Sequence, residues 1–191
     1  GMALALAGAK VCFTDKEEIM DHCHENVKRN LGASPALWHS CTFAPFLWGT
    51  NPRSAGLLEP PYDLVVATDP YVKEETRDAF LHACRSVAGP HTLIIIAFQV
   101  RTQAVYDSLL VGLDESGFEY GEVHPMRLAR AARLTGYSGN WIPLIIARLA
   151  VGAQGETPLA AELPVDEVER ASAAAEPGFS SMPRAPASAA S

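Results

Sequence analysis

Apolar segments of two kinds alternate along the first 150 residues. Leu64 to Ala67 is a continuous apolar run with β-branched residues, which is typical of a strand covered on both faces. Elsewhere apolar residues recur every three or four positions, as at Ile19, Cys23 and Val27, and this spacing predicts helices with one buried face. The pattern predicts strands over 10–14, 37–43, 63–68, 91–98, 118–124 and 141–149, and helices over 16–29, 74–87 and 102–116.

The order of these segments predicts the fold class. Strands that alternate with helices form parallel sheets, so we expect an α/β, Rossmann-like, mostly parallel sheet. No helix is predicted between the last two strands, which favours a C-terminal antiparallel hairpin with Pro143 at a bulge or an edge. The chain opens with Ala3 to Ala7, which resembles the last turns of a helix stopped by Gly8. We therefore expect a fragment that lacks its natural start.

Composition and charge limit the classes of partner. Hydrophobic residues make up 48% and charged residues 19% of the 191 residues, as in globular proteins. The net charge of −7 argues against nucleic-acid binding, and no apolar run approaches the roughly 20 residues of a membrane span. Four cysteines without CxxC spacing favour a reduced, cytoplasmic protein.

Ala, Pro and Ser dominate residues 150–191, which predicts a disordered tail behind a domain of residues 1–149.

Polar residues that follow predicted strands are the candidates for a binding site, because ligands of open α/β sheets collect at the carboxyl ends of the strands. Asp69 follows the strand over 63–68, and Asp15 follows the first strand. The two oxygens of Asp15 suit the hydroxyls of a ribose, and capping of the next helix is the alternative. Trp48 lies in a Pro- and Gly-rich loop, where it either stacks on an adenine or anchors the loop.

Two other kinds of site are not predicted. His22, Cys23 and His24 are neighbours on a predicted helix, where successive side chains point about 100° apart, so they do not converge on one metal ion. A glycine-rich phosphate loop such as GxGxxG should precede Asp15, and none of the residues before it forms one.

Several short motifs resemble, in their order and spacing, those of the seven-β-strand protein-lysine methyltransferases. The similarity covers about residues 1–149. The Asp69-Pro70-Tyr71 segment also resembles a shortened Asp/Asn-Pro-Pro-Tyr motif of amino-group methyltransferases. The matching motifs are the first helix and strand up to Asp15, Asn26-Val27-Lys28-Arg29-Asn30, Leu47-Trp48-Gly49, Tyr62-Asp63-Leu64-Val65-Val66-Ala67-Thr68-Asp69, Glu74-Glu75-Thr76 and Val100-Arg101-Thr102.

The resemblance implies methyl transfer from S-adenosylmethionine to a lysine ε-amine of a protein substrate. It implies that Asp15 holds the ribose of the cofactor, that Trp48 flanks its adenine and that Thr68 lies near it. Asp69 would position the target amine, with Tyr71 as the neighbouring aromatic side chain. We expect a monomer that has no nucleic-acid or membrane partner.

The sequence departs from the family pattern in two places. The family's tyrosine stands three residues after the acid, where this chain has Val72, and Tyr71 comes one position earlier. The family's first strand and glycine-rich cofactor loop are also missing, so we expect a sheet without its central strand and no cradle for the methionine end of the cofactor. Two alternatives stay open: a non-catalytic binding module and a methyltransferase that acts on small molecules.

Overall fold

The computed structural model describes residues 1–56, 60–71, 73–123 and 142–150. Most of the predicted tail and the segment over 124–141 lie outside these ranges. A 3-10 turn, Glu74–Thr76, leads into the fourth helix. The helices are α1 (Met2–Leu6), α2 (Glu17–Leu31), α3 (Pro35–His39), α4 (Arg77–Val87) and α5 (Gln103–Glu115). The strands are β1 (Val11–Asp15), β2 (Cys41–Pro45), β3 (Leu64–Thr68), β4 (Leu93–Ala97), β5 (Phe118–Glu122) and β6 (Leu144–Leu149).

The strands of the described residues form two sheets. β1 and β2 make a parallel pair, and the second sheet has the order β3-β4-β6-β5. β3 and β4 are parallel, whereas β6 runs antiparallel to both of its neighbours. The α/β fold with a parallel sheet and an antiparallel C-terminal hairpin is therefore confirmed.

The place of Pro143 differs from the prediction. β6 is an interior strand, and Pro143 precedes its first residue. The prediction that Pro143 lies at an edge or a bulge was therefore wrong. A proline here removes no donor from the ladder. Its carbonyl instead accepts a hydrogen bond from the Phe98 N–H at 3.2 Å, which extends the pairing of β4 and β6 by one residue.

A break separates β1 from β3. In the described residues these two strands belong to different sheets, and each pairs with a single neighbour, β2 or β4. Side chains still connect the halves: Cys12 of β1 and Val65 of β3 pack against one cluster, formed by Ala44, Phe46, Ala83 and Val87.

The main core lies between one face of the larger sheet and helices α4 and α5. Ile96 and Ile145 from the sheet and Leu109 from α5 are fully buried there, together with Phe80 of α4. The other face of the same sheet is less covered: Val66 is 41% exposed and Ile146 37%. Helix α4 connects β3 to β4, and α5 connects β4 to β5.

One predicted strand was partly wrong. Residues 37–43 were expected to be extended, but Pro35–His39 form the short helix α3 and the strand begins at Cys41. Proline is favoured in the first turn of a helix, because its fixed φ suits the helix and it has no N–H to leave unpaired. Trp38 of α3 then packs against Phe43 and His24, with ring centroids 5.8 Å and 5.1 Å away.

Candidate active site

Asp69 and Arg101 meet at the carboxyl ends of two neighbouring strands. Asp69 directly follows β3, and Arg101 stands four residues after the end of β4. The guanidinium donates two hydrogen bonds to the carboxylate, Nη1 to Oδ1 at 2.8 Å and Nη2 to Oδ2 at 2.6 Å. The pair is half-exposed, with 35% of the Asp69 side chain and 42% of the Arg101 side chain accessible. This geometry fixes the plane of the carboxylate while solvent and ligands can still reach it.

The backbone at Asp69 is also held in place. Its N–H donates to the carbonyl of Ala97 at 2.7 Å, so the pairing of β3 with β4 continues one residue past the strand. Its φ is 51°, in the left-handed region that aspartate tolerates better than most residues. This turn changes the direction of the chain after β3 and places the carboxylate at the carboxyl end of the sheet.

Arg101 lies in one of the family-like motifs, but the resemblance implies no role for it. The hydrogen bonds to Asp69 raise the pKa of its guanidinium further, against the smaller opposing effect of partial burial. The side chain therefore stays charged at any physiological pH. Strand β4 lies next to β3, and a basic residue follows it in the sequence. That residue is the signal that could have indicated an ion pair with Asp69.

Thr68 and Tyr71 flank Asp69 in the chain but have different surroundings. Thr68 is the last residue of β3 and is exposed. Tyr71 is 3% exposed, and its ring packs against Phe80 and Phe98 with centroids 5.8 Å and 5.3 Å away. Its hydroxyl has no hydrogen-bond partner among the described residues. The structure thus places the Tyr71 ring in the core, beneath the turn that carries Asp69.

The surroundings of Tyr71 make its hydroxyl a weak acid. Burial raises its pKa above the ordinary value, the positive charge of Arg77 partly offsets this, and the acids Asp78 and Glu74 add to the rise. A phenol in this state stays neutral and does not act as a base near pH 7. Any contribution of Tyr71 to an active site would come from its ring.

Asp15 ends β1 with an exposed side chain. Its Oδ1 accepts a hydrogen bond from the backbone N–H of Lys16 at 2.8 Å. The N-cap of α2 is Lys16, so Asp15 does not occupy the capping position that was the alternative to ribose binding. The remainder of the carboxylate faces solvent at the carboxyl end of the smaller sheet.

A cavity of about 530 Å³ opens next to the end of β1, and its lining begins at Lys16, the residue after Asp15. Lys16 lines it at the end of β1, Pro45 lines it at the end of β2, and Leu47 and Thr50 line it from the following loop. It therefore lies at the carboxyl ends of two parallel strands, where open α/β sheets bind their ligands.

Trp48 is the residue directly after Leu47, which lines this cavity. Its ring is partly buried and packs on Phe80, with the centroids 5.2 Å apart. Gly49 follows with φ of 92°, which turns the loop away from the core. The indole thus packs the loop against α4, which is the anchoring role considered for Trp48 above. Part of the indole surface remains exposed.

Neither a cluster of metal-ligating side chains nor a membrane-spanning helix occurs among the described residues. No three His, Cys, Asp or Glu side chains in these ranges could hold one ion together. None of the helices here combines the length and apolar character that a membrane span needs.

An α/β sheet closed by an antiparallel strand, with acids after its parallel strands, defines the methyltransferase class of fold. The chain belongs to the lysine methyltransferase family, whose model matches residues 1–109. It is 27% identical over 124 residues to the protein N-lysine methyltransferase METTL21A of Mus musculus, a match that covers 65% of this chain and 54% of that protein. The chain therefore spans about half the length of this curated relative.

Solved structures confirm the fold. The glycopeptide N-methyltransferase MtfA superposes with a TM-score of 0.57 at 11% identity, over 78% of this chain and 77% of that one. The same enzyme has also been solved in complex with S-adenosyl-L-homocysteine. A methyltransferase of Pyrococcus furiosus gives a TM-score of 0.54 at 16% identity, over 78% of this chain and 69% of that one.

Proposed function

We propose that the protein is an S-adenosylmethionine-dependent protein-lysine N-methyltransferase. The observation that carries the proposal is the fixed Asp69 carboxylate at the carboxyl end of β3, in a chain of the lysine methyltransferase family. There a carboxylate can accept hydrogen bonds from a target amine and stabilise the positive charge that develops on its nitrogen during methyl transfer. Thr68, one residue earlier, would line the same site.

The residues present fit the nucleoside half of the cofactor. Asp15 offers carboxylate oxygens to the ribose hydroxyls, and the cavity that begins at its neighbour Lys16 has apolar and polar walls at Leu47 and Thr50. The open part of Trp48 is available to the adenine. When bound, S-adenosylmethionine supplies an electrophilic methyl group on a positively charged sulfur.

The substrate class follows from family membership and charge. A protein segment that presents a lysine is the proposed partner, and the net charge of −7 favours cationic segments over nucleic acid. We propose a cytoplasmic monomer in which residues 1–149 form the catalytic domain and residues 150–191 a disordered tail. Tyr71 would support the site through its ring, from below the Asp69 turn.

Cofactor binding is the first test of this proposal. Calorimetry with S-adenosylhomocysteine on the 191-residue chain should detect binding, and Asp15→Asn should weaken it about tenfold, as expected for lost ribose hydrogen bonds. Asp21→Asn, an exposed acid on α2, is the matched control and should bind normally. Absence of binding would remove the methyltransferase proposal for this chain and favour a non-catalytic binding module.

The substrate class needs a second test. The chain is incubated with radiolabelled S-adenosylmethionine and a protein extract, followed by hydrolysis and identification of methylated lysine. Label in lysine supports the proposal, and label confined to small molecules replaces it with a small-molecule methyltransferase. Asp69→Asn should reduce transfer at least tenfold without changing cofactor affinity, whereas the exposed control Asp107→Asn should not.

A further inference from the structure

The charge of Asp69 bears on the protonation state of a target lysine. A lysine side chain has an unperturbed pKa of about 10.4 and reaches the site mainly as an ammonium ion, which has no lone pair for attack on a methyl group. An isolated carboxylate beside it would favour this charged form, because an opposite charge within a few ångströms stabilises the protonated amine. A site with Asp69 alone would thus bind lysine well in its unreactive state.

The structure shows that Asp69 does not stand alone. Both of its oxygens are bonded to the fork of Arg101, at 2.8 and 2.6 Å, so the pair has no net charge. Each carboxylate oxygen keeps a second acceptor position, which a neutral amine can use as well as an ammonium. The left-handed turn at Asp69 and its bond to Ala97 hold the carboxylate in reach of this fork.

We propose that Arg101 is a positioning residue that neutralises and orients Asp69, so that the target lysine is held as a neutral amine. This inference rests on the proposed function. In the step concerned, one N–H bond of the ammonium breaks, the proton passes to solvent water, and the electron pair stays on nitrogen. Arginine suits the role better than lysine, because its planar fork fits a carboxylate with two hydrogen bonds and always carries its charge.

The proposal predicts opposite changes in binding and in turnover. Arg101→Gln should tighten binding of a lysine peptide, because the uncompensated Asp69 then pairs with the ammonium, while kcat falls. We expect about a fivefold to tenfold gain in affinity and at least a tenfold loss in kcat. A purely structural role would instead weaken both. Arg101→Lys keeps the charge without the fork and should restore part of kcat.

The test uses two peptides: one that the wild-type chain methylates, and its copy with norleucine at the target position. Fluorescence anisotropy in the presence of S-adenosylhomocysteine measures both affinities without turnover. Arg101→Gln should raise the preference for lysine over norleucine, and Asp69→Asn should abolish it. Arg148→Gln is the matched control, since Arg148 makes a similar double contact with Glu119, at 3.0 and 2.9 Å, away from the site.

The outcomes separate the two proposals. If wild-type chain methylates the peptide but Arg101→Gln leaves the lysine preference unchanged or weakens both peptides equally, the role of Arg101 is refuted and the methyltransferase stands. If the wild-type chain binds cofactor but methylates no lysine, the proposed function fails and this inference fails with it. Calorimetry with S-adenosylhomocysteine on each variant shows whether the cofactor site is intact.

Discussion

The buried hydroxyl of Thr92 joins the start of β4 to the segment before β3, because it donates a hydrogen bond to the carbonyl of Tyr62. The same oxygen accepts a hydrogen bond from the Gly89 N–H at 2.7 Å. Thr92 is 2% exposed, so water does not replace these partners. One side chain thus fixes the spacing of the two parallel strands whose far ends carry Asp69 and Arg101.

Thr92→Val should therefore be strongly destabilising. The substitution keeps the shape but removes the hydroxyl that pairs with the buried Gly89 N–H and the part-buried Tyr62 carbonyl, and we expect a loss of about 2–3 kcal/mol in the free energy of unfolding. Urea denaturation monitored by circular dichroism measures this loss. Thr42→Val is the control, since the Thr42 hydroxyl makes a single, long bond of 3.4 Å to Val11, and it should cost less than about 0.5 kcal/mol. Equal effects would contradict the bridging role.

The contact between α4 and α5 predicts an unusual effect of alanine. A Cβ at Gly112 would lie 2.5 Å from Leu81 Cδ1 and 2.8 Å from Arg77 Cδ, closer than real contacts allow. Gly112→Ala should therefore destabilise by about 1–3 kcal/mol, although alanine is the better helix former. Gly121→Ala, where a Cβ would meet nothing within 4 Å, should be close to neutral. Thermal unfolding measures the stability of both variants, and a stabilised Gly112→Ala would show that the side chains of Leu81 and Arg77 can move aside.

The fold could be predicted where the pattern is strong and local. The strand predicted over 63–68 agrees within one residue with the observed β3, and the helix predicted over 102–116 agrees closely with α5, which Thr102 caps by accepting a hydrogen bond from the Val105 N–H. Residues 35–43 were less predictable, because five apolar or aromatic residues there fit a short helix and a strand equally well. Packing of Trp38 on its neighbours decided the outcome.

The candidate site was predictable only one residue at a time. Asp69 and Asp15 could be placed at the carboxyl ends of the parallel strands, because each of them directly follows a predicted strand. The bond from Arg101 to Asp69 spans 32 residues and depends on the pairing of β3 with β4, which periodicity alone does not specify. No sequence signal indicated the positive φ at Asp69 or the burial of the Tyr71 ring.

Alkaline pH should destabilise the protein. Burial, with a further contribution from Cys12, raises the pKa of Tyr62 to about 12, and burial raises the pKa of the Cys84 thiol to about 12. In the unfolded chain these groups lose their protons near pH 10 and 8.5. Above these values the unfolded state binds fewer protons than the folded state, so the free energy of unfolding falls as pH rises. This contribution to stability is complete below about pH 8.5 and disappears as pH approaches 12.

Urea denaturation at pH 8, 9, 10 and 11 tests this dependence. The midpoint should begin to decrease between pH 8 and pH 9, where the unfolded Cys84 thiol loses its proton, and decrease more steeply above pH 10, where Tyr62 adds its contribution. Tyr62→Phe removes one of the groups and should flatten the decrease above pH 10, whatever its effect on stability at pH 8. A midpoint that rises with pH, or a slope that is the same in wild type and Tyr62→Phe, would contradict the assignment.

Two buried tyrosines should respond in opposite ways to loss of the hydroxyl. The Tyr71 hydroxyl has no partner among the described residues, so Tyr71→Phe removes an unsatisfied polar group and should stabilise by about 1 kcal/mol. The Tyr106 hydroxyl donates to Glu122 Oε2 at 2.8 Å, and Tyr106→Phe should cost about 1–2 kcal/mol. Thermal unfolding compares the two variants.

Tyr71→Phe should also keep full methyl transfer, because the proposed contribution of Tyr71 comes from its ring. A loss of kcat with unchanged stability would instead assign a catalytic role to its hydroxyl.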